Sequence, residues 1–591
     1  MHGPAVGMPC SARRRHVPVR GPTFGRRLRI GWAGVDTWAV NRATVGAVAG
    51  VVAAGVALAG AEVVALLTGP QSSPLTAVGA VVIDGAPEPV VRFGISVFGR
   101  YDKIALLIGT LLLLAAAAAG LGVLGMRRLW LGLAGLAGFT VVGIAAAMTR
   151  HDAAPTAAAP TLVGALAAAM TFIALRGVID AADRAQPSGA PSEAPPPEAP
   201  GEAPPPEASD QAQPAGEARP PDQAPPPVAP QPAGATASRS HRRDFIRLAS
   251  VVLGGAAVAG FAARWWGTRR HVDAARSAVT LPSPIESAPP VPAGADLAVP
   301  GLASYVTGND DFYRIDTALV VPRVDPDDWR LVIHGRVRHP YEISFAELLQ
   351  RPMLERYITL ACVSNPVGGG LIGNARWLGV PVAELLAQAQ PLPGADQVVS
   401  RSADGWTCGT PTEVLTDGRD ALLAVGMNGE PLPVEHGFPV RMVVPGLYGY
   451  VSACKWITEI ELSSFEDYDA YWVPRGWAPR APIKTQSRID TPRRQAAAGQ
   501  VTVAGVAWAQ HRGIARVEVQ VDDGPWHEAT LADTVSADTW RQWSWRWQTT
   551  PGRHRLAVRA TDTTGTTQPA EPSPVAPDGA TGWHTVEVEV S

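Results

Sequence analysis

Cysteine is scarce in this 591-residue chain: there are four, at Cys10, Cys362, Cys408 and Cys454, with no Cys-x-x-Cys pair. That spacing excludes a zinc ribbon, an iron–sulfur cluster and a dense disulfide framework. Cys408 and Cys454 could bridge in an oxidising compartment, but they read as buried thiols. No basic stripe interleaves with aromatics beyond the N-terminus, so nucleic acid is not an expected partner. A formal charge of −3 gives no overall electrostatic bias. The long apolar runs contain no histidine, and no Cys-x-x-Cys-His occurs, which excludes a haem-carrying electron conduit within the chain. One ionisable residue, Glu62, falls inside an apolar run, too little to suggest ion transport.

Apolar sequence of membrane-spanning length is abundant. Behind an arginine-rich start (Arg13 to Arg29) come Thr44 to Thr68, Ile104 to Met126, Leu129 to Met148 and Thr156 to Leu175, each long enough to cross a bilayer as a helix. Their alanine and glycine content suits close helix packing. Residues 1–42 are expected to be a basic cytoplasmic segment and 43–176 a four-helix transmembrane region. Arg127-Arg128 and Arg176 then lie inside, leaving both ends of the block in the cytoplasm. Residues 185–238 form a proline-rich linker: seventeen prolines lie between Pro187 and Pro232, and Glu-Ala-Pro-Pro-Pro-Glu-Ala occurs twice. Such a segment cannot bury a core and serves as an extended spacer. Residues 239–268 carry His241-Arg242-Arg243-Asp244-Phe245-Ile246-Arg247 ahead of the apolar run Leu248 to Ala263. This reads as a twin-arginine export signal retained as a fifth membrane helix, with an ordinary basic-flanked span as the alternative.

The chemistry centres on Cys362. The run Ile358-Thr359-Leu360-Ala361 delivers it into a polar, glycine-rich loop (Ser364, Asn365, Gly368 to Gly370, Gly373), as a strand end opening onto a site would. A thiolate there is a soft metal ligand; a lone cysteine is also commonly a small core residue. The wider pattern decides between them. Thr359-Leu360-x-Cys362-x-x-Asn365, Ala375-Arg376-Trp377-x-Gly379-Val380-Pro381, His436-Gly437-Phe438-Pro439-Val440-Arg441-x-Val443-Val444-Pro445-Gly446 and Lys455-Trp456 closely resemble, in order, the motifs of the sulfite-oxidase family of molybdopterin enzymes. The resemblance covers roughly Gly308 to Ser591. It implies a molybdenum–molybdopterin cofactor, with Cys362 as the single protein ligand to the metal and Mo(VI)/Mo(IV) cycling coupled to oxygen-atom transfer.

By the same resemblance, Phe312, Tyr313 and Arg314 border the pterin pocket, with Asn365, Arg376, Asp404, Ala453 and Cys454 also at the cofactor. His436, Arg441 and Lys455 would hold the pterin phosphate, a buried dianion that needs donors and positive charge. Arg314 is equally a surface arginine, and Asp404 equally a solvated loop carboxylate. Arg314 is also expected to act with Cys362 in catalysis. Three departures stand out. Arg314-Ile315-Asp316 replaces the family's Arg-Asn-His, and Pro366-Val367-Gly368 replaces its arginine after Cys-x-x-Asn. Tyr471-Trp472-Val473-Pro474-Arg475-Gly476-Trp477 stands where its metal-side tyrosine is expected. Fewer arginines and an aromatic pocket of Trp472 and Trp477 favour a larger or less charged substrate than sulfite.

The expected architecture is therefore multi-domain. An N-terminal α-helical membrane bundle precedes an α+β molybdopterin-binding domain at 300–490, with helices at Phe345 to Gln350 and Val382 to Gln388. Alternating strands from Val501 predict an immunoglobulin-like β-sandwich at 495–591, matching the family's dimerisation domain. The expected protein is a multi-pass, membrane-anchored oxidoreductase with its catalytic domain outside the cytoplasm, acting on a small-molecule S- or N-oxide. It exchanges electrons with a separate carrier or a quinone-linked membrane partner and can form a homodimer. Sulfite dehydrogenation is the alternative reaction, and a membrane-tethered binding protein with an empty site the alternative class.

Overall fold

The computed structural model describes residues 42–69, 72–86, 90, 102–149, 154–184, 251–252, 254–255, 258 and 271–591. The N-terminal basic segment, the proline-rich linker and most of the twin-arginine segment lie outside the described residues.

Among the described residues, four helices are long and apolar enough to cross a membrane: α1 (Arg42–Thr68), α3 (Asp102–Arg127), α4 (Leu129–Met148) and α5 (Ala159–Arg184). They match the four expected runs and extend past the ends of most of them. Small residues allow their backbones to approach closely. A Cβ on Gly50 of α1 would sit 2.0 Å from the Ala118 carbonyl oxygen of α3. Polar side chains gather at one end of the bundle. Arg42 pairs with Asp180 at 2.8 Å, and Arg176 donates to the Gly125 carbonyl at 2.6 Å. The other end holds an element absent from the sequence reading, α2 (Pro74–Gly85), too short to span. Its N-cap Ser73 donates to Glu62 at 2.6 Å, so the carboxylate inside α1 anchors this helix.

The following domain is built on two sheets. One orders β2 (Tyr341–Ser344), β1 (Arg330–Gly335), β10 (Ile457–Ser463), β5 (Gln397–Ser402) and β6 (Thr407–Pro411), with β1 and β10 parallel. The other orders β3 (Leu354–Ala361), β4 (Ile372–Pro381), β7 (Leu422–Met427) and β8 (Glu430–Pro431), with β9 (Arg441–Val443) also on β7. Helix α6 (Phe345–Leu349) starts in a capping box, with Glu347 N donating to Ser344 Oγ and Ser344 N to Glu347. Helix α7 (Val382–Ala389) buries Val382, Leu385, Leu386 and Ala389, one face at helical spacing. Both sheets and both helices contribute to one core containing Trp329, Leu331, Leu385, Val425 and Ile460.

The C-terminal part is β-rich. One sheet orders β11 (Gln486–Thr491), β13 (Gly499–Trp508), β17 (Arg541–Thr549) and β16 (Thr530–Leu531). The second orders β12 (Gln495–Ala496), β19 (His584–Val590), β18 (Gly552–Asp562), β14 (Ile514–Val521) and β15 (Trp526–Glu528). Val503 and Trp543 of the first share a core with Val517, Val558 and Val588 of the second. Trp543 and Trp547 are thus core residues, as the alternation predicts.

This part also braces the strand that carries Cys362. Trp540 N donates to Thr359 Oγ1 at 2.8 Å, and its indole donates to the Tyr305 carbonyl at 2.8 Å. Gln510 donates to the Thr359 carbonyl at 3.0 Å, and Thr359 N to the Asp538 carbonyl at 2.9 Å. Trp540→Ala is expected to cost about 3–5 kcal/mol through the cavity left, and more through the freed carbonyl. The fall in melting temperature should come with faster amide exchange at Thr359 and its neighbours; unchanged exchange there would mean the two parts are not coupled.

Candidate active site

Strand β3 ends at Ala361, and the chain turns at once. Cys362 N donates to the Leu371 carbonyl at 3.0 Å and Asn365 N to the Cys362 carbonyl at 3.1 Å, so the thiol stands at the mouth of a closed loop. Asn365 Oδ1 accepts from Leu371 N at 2.9 Å, and Ser364 N points at Cys362 Sγ at 3.4 Å. The loop glycines give the C-terminal part access. Gly368 has φ +75°, and a Cβ there would lie 2.0 Å from the His584 ring. Arg488 donates to the Gly369 carbonyl at 2.8 Å.

Next to the thiol lies a cluster of charge. Arg314 Nε and Lys455 Nζ both reach Asp316 Oδ2, at 2.8 and 2.9 Å. Arg441, 5 % exposed, donates to the His436 carbonyl at 3.1 Å and places its guanidinium 5.0 Å from the Trp377 ring centre. Burial lowers Lys455 to about 8, with the neighbouring arginines opposing Asp316, and lowers Arg441 to about 10. His436 is pushed down to about 4 by burial and then by Arg441, Lys455 and Arg314. It is therefore neutral at pH 7, with Nε2 3.1 Å from the Asn309 carbonyl. It thus adds no positive charge to the cluster. Three cations against the Asp316 carboxylate leave the cluster two positive charges in excess, the complement of a phosphate dianion.

The remaining candidates separate. Phe312 is buried, edge-on to Trp377 and His436 at 5.8 and 5.6 Å, and stacked on Tyr313 at 5.2 Å. Tyr313 interacts electrostatically with Cys362 and Arg441, and burial holds its phenol far above the usual range. Arg376 does not join the cluster. It lies on the β4 face opposite Trp377, its guanidinium 3.3 Å from Glu355. Asp404 accepts from Trp406 N at 3.2 Å within a turn and acts electrostatically on Cys454. Cys408 and Cys454 are free and buried, and they interact through their side chains. Ala453 closes a turn onto the Gly449 carbonyl at 2.9 Å.

Two residues escaped the sequence reading. Asp316, a departure from the family motif in sequence, organises both Arg314 and Lys455. Tyr448 sits near enough to Cys362 to feel its charge, and burial is the main cause that lifts its phenol to about 12. The phenols that interact electrostatically with the thiol are thus Tyr313 and Tyr448, with the Ser364 side chain hydrogen-bonded to it, whereas Tyr471 stacks under Arg475 at 3.8 Å. Trp477 forms a wall with Trp472 at 6.1 Å and Tyr450 at 5.7 Å. Among the described residues, His334, Glu459 and Glu461 lie within 4.8 Å of one another, but Glu459 is already held by Arg401 at 3.1 Å.

The donor set fits molybdopterin. Arg441 Nε and Asn365 Nδ2 are buried without a hydrogen-bond partner, and such donors are costly unless a ligand accepts from them. Burial raises the Cys362 thiol; a metal cation reverses that by taking the thiolate.

Residues 318–472 match the oxidoreductase molybdopterin binding domain family, and 482–591 the Mo-co oxidoreductase dimerisation domain family. The chain is 32% identical over 322 residues to sulfite oxidase of Gallus gallus, covering 46% of this chain and 70% of that one. It is 30% identical over 342 residues to mitochondrial sulfite oxidase of Homo sapiens, covering 49% and 62%, so it spans under two thirds of the human protein's length. Among solved structures, the sulfane dehydrogenase SoxCD of Paracoccus pantotrophus aligns at 25% identity and a TM-score of 0.43, covering 49% of this chain and 82% of that one.

Proposed function

Because the chain belongs to the sulfite-oxidase family of molybdopterin oxidoreductases, we propose that it is a membrane-anchored member that reduces a neutral S- or N-oxide outside the cytoplasm. Cys362 would hold the molybdenum, and Arg441, Lys455 and Arg314 the pterin phosphate, with Asn365 and Phe312 lining the pocket. Bound there, the cofactor supplies oxygen-atom transfer coupled to two electrons.

The observation that carries the substrate class is the commitment of the nearby cations. Arg314 and Lys455 share Asp316, Arg488 is bound to Asp490 at 2.6 Å, and Arg475 lies over Tyr471. With the pterin phosphate and Asp316 together taking up Arg314, Lys455 and Arg441, a small dianion such as sulfite would meet cations already engaged, while the Trp472–Trp477–Tyr450 wall suits an apolar substituent. Tyr313 and Tyr448 keep their phenolic protons at pH 7 and can donate to a neutral oxide oxygen. Assaying the full chain in both directions with artificial donors and acceptors tests this: oxide reduction should dominate. Efficient sulfite oxidation at micromolar substrate without oxide reduction would establish the dehydrogenase alternative instead.

The orientation reading draws support from the end-to-end asymmetry of the bundle. Arg42 and Arg176 lie at the end assigned to the cytoplasm, while α2 at the opposite end meets the catalytic domain. A Cβ on Gly79 would lie 2.7 Å from Leu319. Export through the twin-arginine route lets the cofactor be inserted first, so Arg242→Lys with Arg243→Lys should strand the C-terminal domain inside. The dimerisation-type C-terminal domain favours a homodimer.

Cofactor capture should also depend on pH. The protonated Lys455 ammonium meets a phosphate, and in the cofactor-free protein it is lost as pH rises through about 8. His436 at about 4 contributes no such step near neutrality. Molybdopterin uptake by cofactor-free protein is expected to fall as pH passes 8, and Lys455→Met should remove that step. A step that persists in the variant would assign it to another group.

A further inference from the structure

The membrane bundle contains a cavity of about 240 Å³ between α1, α3, α4 and α5, closed at one end by Pro74, Leu75 and Val78 of α2. Among the described residues, no charged one lines it. Of its hydroxyls, Thr140 Oγ1 is spent on the Leu136 carbonyl at 2.8 Å. Thr161, 7 % exposed, has Oγ1 buried without a partner. Thr161 lies at the α2 end: a Cβ on Gly143 would be 2.9 Å from Thr161 Cγ2 and 3.7 Å from Pro74 Cβ. An unpaired hydroxyl in an apolar chamber is costly unless something accepts from it.

The other face of α2 borders a second, polar cavity of about 300 Å³. Thr76, Ala80 and Ile83 of α2 and Thr149 line it together with Leu319, Asp404, Trp406 and Arg475 of the catalytic domain. Thr76 Oγ1 is likewise buried and unpartnered. One short helix thus separates an apolar chamber in the membrane from a polar chamber on the redox domain.

We propose that the bundle cavity binds an isoprenoid quinone, its tail among the small residues of α1 and α5 and a ring carbonyl accepting from Thr161 Oγ1. The ligand must be neutral, largely apolar and acceptor-bearing. An acyl chain meets the first two conditions and leaves the hydroxyl unsatisfied. The proposal rests on the oxide-reductase reading for its redox role. There, the quinol loses two electrons and two protons as its O–H bonds break. The substrate S–O or N–O bond is cleaved with uptake of two electrons and two protons, giving quinone, deoxygenated substrate and water.

The test uses the full chain in nanodiscs, titrated with decylubiquinone and read by thermal shift, alongside the same disc lipids without quinone. Saturable stabilisation is expected. Thr161→Val, which keeps the side-chain shape, should weaken it about fivefold by removing one hydrogen bond, and Ala54→Phe, which fills the chamber, should abolish it. Oxide reduction driven by decylubiquinol should fall in both variants while reduction driven by a viologen dye holds. Absence of saturable binding, or binding indifferent to both substitutions, overturns the proposal and leaves acyl lipid as the occupant. Viologen-driven oxide reduction absent from the unaltered protein, with quinone binding intact, instead defeats the oxide-reductase reading and spares the site.

Discussion

Cys362→Ser is expected to eliminate the molybdenum redox signal and reduce turnover by well over 100-fold. Loss of groups that merely support metal ligands costs 10- to 100-fold, and Cys362 is the ligand itself. Serine keeps the size of the side chain but not the soft donor. The fold should survive, because the loop is fixed by hydrogen bonds among Cys362, Asn365 and Leu371 that do not use the sulfur. Circular dichroism and melting temperature should therefore match the unaltered protein while electron paramagnetic resonance of the reduced enzyme loses its molybdenum signal. A variant with normal signal and turnover would remove Cys362 from the metal.

Arg441→Met is expected to separate cofactor binding from stability. Arg441 is buried, one of its nitrogens has no partner, and burial already lowers it to about 10. Without a phosphate, the guanidinium is a cost to the fold. Methionine of similar length should leave the cofactor-free protein as stable or more stable. Each charge-assisted bond lost costs about 1.5–3 kcal/mol, so cofactor affinity should fall roughly 10- to 150-fold for one bond. The measurement pairs melting temperature of cofactor-free protein with retained molybdopterin after gel filtration. Destabilisation of the cofactor-free form with unchanged retention would make Arg441 a structural residue.

The four long helices were legible because nothing but a membrane or a large core accommodates twenty uncharged residues repeatedly. The strand ending at Cys362 was legible for a similar local reason, a β-branched run meeting a glycine-rich turn. What escaped depended on pairing across distance. Asp316 looks like a simple departure until Lys455, far along the chain, is seen on the same oxygen as Arg314. The charge of His436 is likewise invisible in its motif, because burial and then three cations brought together by the fold keep it neutral. Arg376 was assigned by motif, whereas strand alternation beside Trp377 turns it to the other face. Helix α2 is too short to announce itself by hydropathy, and its position follows from Glu62 capturing Ser73. The bracing of Thr359 by Trp540 and Gln510 joins segments more than 150 residues apart, which no local pattern carries.

The central claim is that the arrangement around Cys362 and Arg441 holds a molybdenum–molybdopterin group. Elemental analysis of the full chain, purified from a cofactor-competent host and paired with fluorimetric quantitation of released pterin, tests it most directly. The account predicts molybdenum and pterin in equal amounts, stoichiometric with protein, and molybdenum lost in Cys362→Ser. Protein that is folded and monodisperse yet free of both would contradict it.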